Sequence, residues 1–170
     1  YREDIKKQYQ NGAVPGMTIE PQIPGELIKK AESYTDTAII SICRFSGEGW
    51  DRTAYIDPEN KAICDSEVEM TKRAAGIFSN GDFCLSDGEQ QMVDLVKEHF
   101  DKVIVVMNVG GMVDTSWFAE DDLISSVLFA FQGGMEGGTA AAELLLGEGN
   151  PSGKLSDTLA KSLQDYPSSE

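Results

Sequence analysis

The residues best placed to do chemistry lie in SICRFSGEGWDR, residues 41 to 52, where an apolar run stops at a Gly-Glu-Gly turn followed by Trp-Asp-Arg. Gly47 and Gly49 admit backbone angles closed to other residues, so Glu48 is expected on a tight, exposed loop. A carboxylate held there is a candidate for chemistry. From the local sequence alone, a solvated loop carboxylate is an equally good reading. Arg44 and Arg52 flank the turn, and an arginine hydrogen-bonded to Glu48 would favour its ionised form. Arg52 is therefore expected to be engaged elsewhere, with Asp51 as its partner in a pair that shapes the loop. Trp50 offers an aromatic face, suited either to a ligand or to wedging an interface.

Positioning such a turn requires a strand. Residues 37 to 43, TAIISIC, are β-branched and apolar without a breaker, as expected of a parallel strand covered on both faces, with Cys43 in the core. The loop would then lie at a strand's carboxyl end, where open α/β sheets bind ligands. Ahead of it, Leu27, Ile28, Ala31 and Tyr34 share one face of a helix over 26 to 34. Residues 1 to 24 read as a lead-in: a weak helical spacing over 1 to 9, then a connector rich in proline and glycine. Residues 53 to 85 are the least regular stretch, with a helix suggested over 66 to 78 and turns at Asp57-Pro58 and Asn80-Gly81. Ser86 and Glu89 form an S-x-x-E capping box ahead of a helix over 87 to 99, with His99 at its carboxyl end. A second strand is expected over 102 to 110, ending beside Asn108 and Gly110-Gly111. A short helix over 115 to 119 and a third strand over 123 to 131 follow. A helix over 135 to 146 begins near Glu136, and its Gly138, Ala141 and Ala142 form a small-residue face suited to close packing on the sheet. Gly147 caps it, and residues 159 to 170 read as a tail or linker. This alternation predicts a single α/β domain, a three-layer sandwich whose mainly parallel sheet is flanked by helices.

Composition narrows the partners. A net charge of −15 and 41% hydrophobic residues suit one domain with a proper core. The acidic surplus argues against nucleic acid and against an anionic membrane surface, both of which need a basic patch. Cys43, Cys64 and Cys84 match no zinc spacing and read as reduced thiols, which favours an intracellular, cytoplasmic setting. No metal or cofactor is expected. A chain starting at Tyr1 without a secretory segment reads as a fragment of something larger.

Five ordered blocks carry a family resemblance: YTDTAIIS (34 to 41), RFSGEGWDR (44 to 52), GDFCLSDGEQQMV (81 to 93), VIVVMNVGGMVDTSWF (103 to 118) and FQGGMEGGTAAAELLLGEGNPSGKLSDT (131 to 158). Over roughly residues 26 to 167 the chain resembles the carboxyl-side α/β sandwich domain of glycoside hydrolase family 3, the β-glucosidase and β-xylosidase group. The resemblance implies a retaining β-glycosidase in which a separate (β/α)8 barrel supplies an aspartate nucleophile and the sandwich lends the general acid/base. Members with the same SGEG block place that acid/base at its glutamate, here Glu48. No Ser-Asp-Trp occurs in this sequence, so the nucleophile is expected outside it and the isolated chain is expected to be inactive. The implied substrate is a terminal β-linked glucoside or xyloside, or an oligosaccharide of either. Two departures stand out: Gly133-Gly134 replaces the family's usual Pro-Gly or Ala-Gly, and the segment after Arg52 is lengthened over 57 to 78.

Two other classes fit the same fold: a flavodoxin-like module for a nucleotide or phosphate, and a non-catalytic domain that binds carbohydrate or braces a barrel. Against the first, neither G-x-G-x-x-G nor G-x-x-x-x-G-K-[ST] is present, and Glu136 stands where a phosphate would sit.

Overall fold

Alternation of side chains along two central strands builds the core. In β1 (Thr37–Arg44), Ile40 and Ile42 point to one side; in β2 (Lys102–Val109), Val103, Val105, Met107 and Val109 do the same. Parallel pairing sets Ile40 beside Val105, Ile42 beside Met107 and Arg44 beside Val109. β3 (Ile124–Phe129) pairs with the other edge of β2, also in parallel, after a register irregularity between Val103 and Ile104. The sheet order is β1-β2-β3. The computed structural model describes residues 1–13, 16–44 and 76–167. It shows an α/β fold with a parallel sheet, as expected.

Helices α2 (Gly25–Glu32) and α3 (Asp87–His99) cover the apolar side, laying Ile28, Val93 and Val96 on the strand residues, with Phe100 and Val113 closing the ends. Each of these buried side chains contributes about 1.5–3 kcal/mol by leaving water. The capping box is formed: the Ser86 hydroxyl accepts from the Glu89 amide at 3.2 Å, and the Glu89 carboxylate accepts from the Ser86 amide at 2.8 Å. Two orphan donors at the start of α3 are thereby satisfied.

The lead-in is helical over α1 (Arg2–Gln10), and its described residues from 16 to 24 form no helix or strand. Its return is fixed by Gln8, whose side chain accepts from the Ile19 amide at 2.7 Å and donates to the Ile19 carbonyl at 2.8 Å. The short helix α4 (Ser116–Ala119) follows β2 as expected. β3 ends two residues before the apolar run does, because Phe131 takes a φ of 51° that cannot continue a strand.

Three expectations need correcting. Among the described residues, β1 is covered on one face only: Ile39 is 58% exposed, and Cys43 lies on the surface rather than in the core. The run TAIISIC hides a period-two pattern in which Ile40 and Ile42 point inward while Ser41 and Cys43 point out. The small-residue face of α5 (Gly137–Leu145) does not close on the sheet either. The helix has no buried residue, and a cleft of about 930 Å³ separates Ala141 and Leu144 from Ser41 and Asn108. Short side chains project too little to bridge that gap, and no other described element fills it. Gly147, at φ 75°, ends α5 as expected.

The one-sided core makes the two faces of β1 unequal. Ile42→Ala should cost about 2–5 kcal/mol by opening a cavity, and Ile39→Ala should cost about 0.5 kcal/mol or less. Urea denaturation of the two variants, compared at equal m, checks this.

Candidate active site

β1 delivers its last residue, Arg44, to the carboxyl edge of the sheet, and the guanidinium folds back under that edge. The residue is 4% exposed. Nε donates to the Asp82 carbonyl at 3.0 Å, one terminal nitrogen to the Cys43 carbonyl at 2.9 Å, and the other to the Cys84 carbonyl at 2.9 Å. Both terminal nitrogens also meet the Glu89 carboxylate as a two-pronged fork, at 2.6 and 2.5 Å. The buried Phe78 ring lies 4.6 Å from the guanidinium carbon. Fork geometry, burial and a carboxylate partner are the conditions under which such a pair is strong.

The same residue ties the strands together. Its carbonyl accepts from the Gly110 amide at 3.3 Å, where β2 ends. The turn at 78–84 is locked by Gly81, at φ 81°, whose amide donates to the Phe78 carbonyl at 3.1 Å. The Asp114 amide then donates to the Phe83 carbonyl at 2.9 Å, so the segment after β2 is pinned to this turn.

The carboxyl ends of β2 and β3 are occupied by the chain itself. Leu155, Asp157 and Leu159 face Gly110, Val113 and Phe131 across a cleft of about 170 Å³. The Tyr166 ring meets Phe83 edge-on at 6.5 Å, and its hydroxyl accepts from the Ala160 amide at 2.8 Å. Of the three strand ends, the one at β1 leads into residues 45 to 52.

On the α3 side, the Tyr1 hydroxyl donates to Glu20 at 3.2 Å. The other Glu20 oxygen is buried without a hydrogen-bond partner. Burial raises the Glu20 carboxyl above its ordinary range; the Tyr1 bond opposes this, and the Glu89 charge adds to it. Burial, and then Glu20, push the Tyr1 phenol up to about 12. Burial and the Asp114 charge raise the Cys84 thiol, with Arg44 pulling the other way, so Cys84 is held as a thiol rather than a nucleophile.

Gly47, Glu48, Gly49, Trp50, Asp51 and Arg52 all lie outside the described residues, as does most of the helix suggested over 66 to 78. What is placed is the root from which they leave. His99, in the last turn of α3, lies 3.3 Å from Glu32 on α2 and joins the two helices. Asn108 is exposed on the open face of the sheet, away from Arg44. Glu136 is the first residue ahead of α5, so an acidic group stands at that helix start. Sequence reasoning missed the partner role of Glu89, which shows in sequence only as a capping-box residue, and it gave Phe78 no part in the site.

Fold and strand ends together define an open parallel α/β domain. The sequence matches the glycosyl hydrolase family 3 C-terminal domain over residues 3–170, and the chain belongs to that family. It is 57% identical to beta-glucosidase A of Butyrivibrio fibrisolvens over 100% of this chain and 20% of that protein. Its identity to a beta-glucosidase of Ruminococcus albus is 32%, over 98% of this chain and 16% of that protein. The chain thus spans about a fifth or less of the length of these curated relatives. The fold is similar to a beta-glucosidase from Paenibacillus barengoltzii, with a TM-score of 0.70 at 32% identity over 98% of this chain and 17% of that one. Beta-glucosidase 3B from Thermotoga neapolitana, solved in complex with alpha-D-glucose, gives a TM-score of 0.69 at 30% identity over 98% and 21%.

Because the fold keeps a proton on Glu20 that the unfolded chain releases, Glu20 withdraws stability as pH rises from its ordinary value of 4.5 through its raised folded value. Glu20→Gln should remove that decline. Urea midpoints measured from pH 4 to pH 7 should fall more steeply in the parent than in the variant, and parallel curves would contradict the assignment.

Proposed function

We propose that this chain supplies the general acid/base of a retaining β-glycosidase of the β-glucosidase type. Its nucleophile would sit on a separate (β/α)8 barrel of the same protein, and its substrate would be a terminal β-linked glucoside or xyloside, or an oligosaccharide of either. The observation that carries the proposal is the position of Arg44, at the carboxyl end of β1 and the root of the Gly-Glu-Gly turn. Glu48 follows Arg44 by four residues, which span at most about 14 Å. Family membership and the names of the relatives support the substrate class.

Retaining hydrolysis uses two carboxyl groups about 5–5.5 Å apart. One attacks the anomeric carbon. The other, Glu48 in this proposal, protonates the leaving oxygen and then takes a proton from the water that opens the glycosyl-enzyme. Glu48 must be protonated for the first step and ionised for the second, and burial beneath a docked barrel and sugar raises its pKa as the first step requires. Trp50 offers its face to the aglycone, and Asp51 with Arg52 shapes the turn.

In the full-length protein, Glu48→Ala should lower turnover by about 10²- to 10⁴-fold for substrates with poor leaving groups, and much less for activated aryl glycosides. Azide should restore turnover and yield a β-glycosyl azide. Equal loss on all substrates without azide rescue would make Glu48 a structural loop residue.

A further inference from the structure

We propose that Glu20 is a proton-operated latch on the lead-in: with its carboxyl protonated, residues 19 to 23 lie as a strap across the first turn of α3, and ionisation of that carboxyl loosens them. The latch is independent of Glu48.

The lead-in is held by few contacts. α1 buries no residue. The strap is tied to it at Ile19 by the Gln8 side chain, and Ile23 packs at the margin of the core. Between these points Glu20 meets α3 at Gly88, where a Cβ would lie 3.1 Å from both the Glu20 Cβ and the Glu20 carbonyl oxygen. Strap and helix thus touch as closely as glycine alone allows without a shift. Alongside that contact a hollow of about 260 Å³ separates Gln22 and Ile23 on the strap from Gln91, Met92 and Leu95 on α3. Apolar packing therefore does not seal the strap down, and one polar side chain can decide its position.

The surroundings of Glu20 suit it to that role. One carboxyl oxygen accepts from the Tyr1 hydroxyl at 3.2 Å, and the other is buried with no hydrogen-bond partner. A neutral carboxyl tolerates such an oxygen far better than a carboxylate does. The groups facing it are the Tyr1 phenol from the lead-in and the Glu89 carboxylate from α3; Cys43 of β1 faces Tyr1 in turn, and Arg44 of β1 holds Glu89. Burial and then the Glu89 charge favour the protonated form of Glu20, and the Tyr1 bond opposes them. In the lifted strap Glu20 returns to its ordinary value of 4.5. The closed form therefore holds the proton more tightly than the lifted one. Closure is fully favoured below the ordinary value and weakens as pH rises through the raised one.

The test is hydrogen exchange of the full-length protein, read by mass spectrometry from about pH 4.5 to about pH 7.5 and divided by the intrinsic rate at each pH. A helix as short as α1 is marginal alone, so lifting the strap exposes the amides of α1 and of Ile19. Their protection should fall as pH rises while that of α3 stays level. Glu20→Gln should keep them protected across the range. Tyr1→Phe deletes the bond that favours the carboxylate and should move the fall to higher pH. Gly88→Ala should lower lead-in protection at every pH without weakening α3, because alanine is the better helix former. Lead-in protection that is level with pH in the parent, that falls alike in Glu20→Gln, or that is lost together with α3 overturns the proposal. So does a fall that stays put or moves to lower pH in Tyr1→Phe, or a lead-in that Gly88→Ala leaves as protected as before.

Discussion

The structure depends on a single buried guanidinium. Among the described residues, Arg44 makes five hydrogen bonds, to the carbonyls of Cys43, Asp82 and Cys84 and twice to Glu89. Those partners come from β1, the 78–84 turn and the start of α3. The hydrophobic core beneath, from Ile40 and Ile42 to Val105 and Met107, is non-directional and fixes only that β1 and β2 lie against α3. The fork sets where β1 stops, because guanidinium geometry is rigid and a buried charge tolerates no loss of partners.

From that constraint the layout of the domain follows. The carboxyl ends of β2 and β3 are taken up by the segment from Leu155 to Tyr166, which returns to Phe83 and packs edge-on against it. The end of β1 at Arg44 instead leads on in the chain to residues 45 to 52.

Much of this was legible in the sequence where the signal was local. The Ser86 and Glu89 capping box placed α3 to the residue, since both bonds form within one turn. Parallel pairing followed from apolar runs alternating with helical spacing, and the five blocks pointed to the family. What failed was sidedness. Ser41 and Cys43 are small enough to pass as core residues in a short apolar run, and only the placement of the described helices shows that both side chains are exposed. The small residues of α5 likewise suggested a close contact that the fold does not make. The central pair could not be read at all, because Glu89 lies 45 residues from Arg44 and its capping role already accounted for its presence. The acid/base assignment rests on residue type and family, and Arg44, four residues before Glu48 in the chain, is anchored by its fork to Glu89.

The measurement closest to the central claim is a crystal structure of the full-length protein with a slow fluorosugar trapped on its nucleophile. The account predicts that the Glu48 carboxyl lies about 5–5.5 Å from the nucleophilic carboxyl, on the leaving-group side of the sugar. It also predicts that Arg44 and Glu89 are still joined at the root of the loop. Another carboxylate in that position, or a Glu48 that faces away from the sugar while the Arg44 fork stays intact, would contradict it.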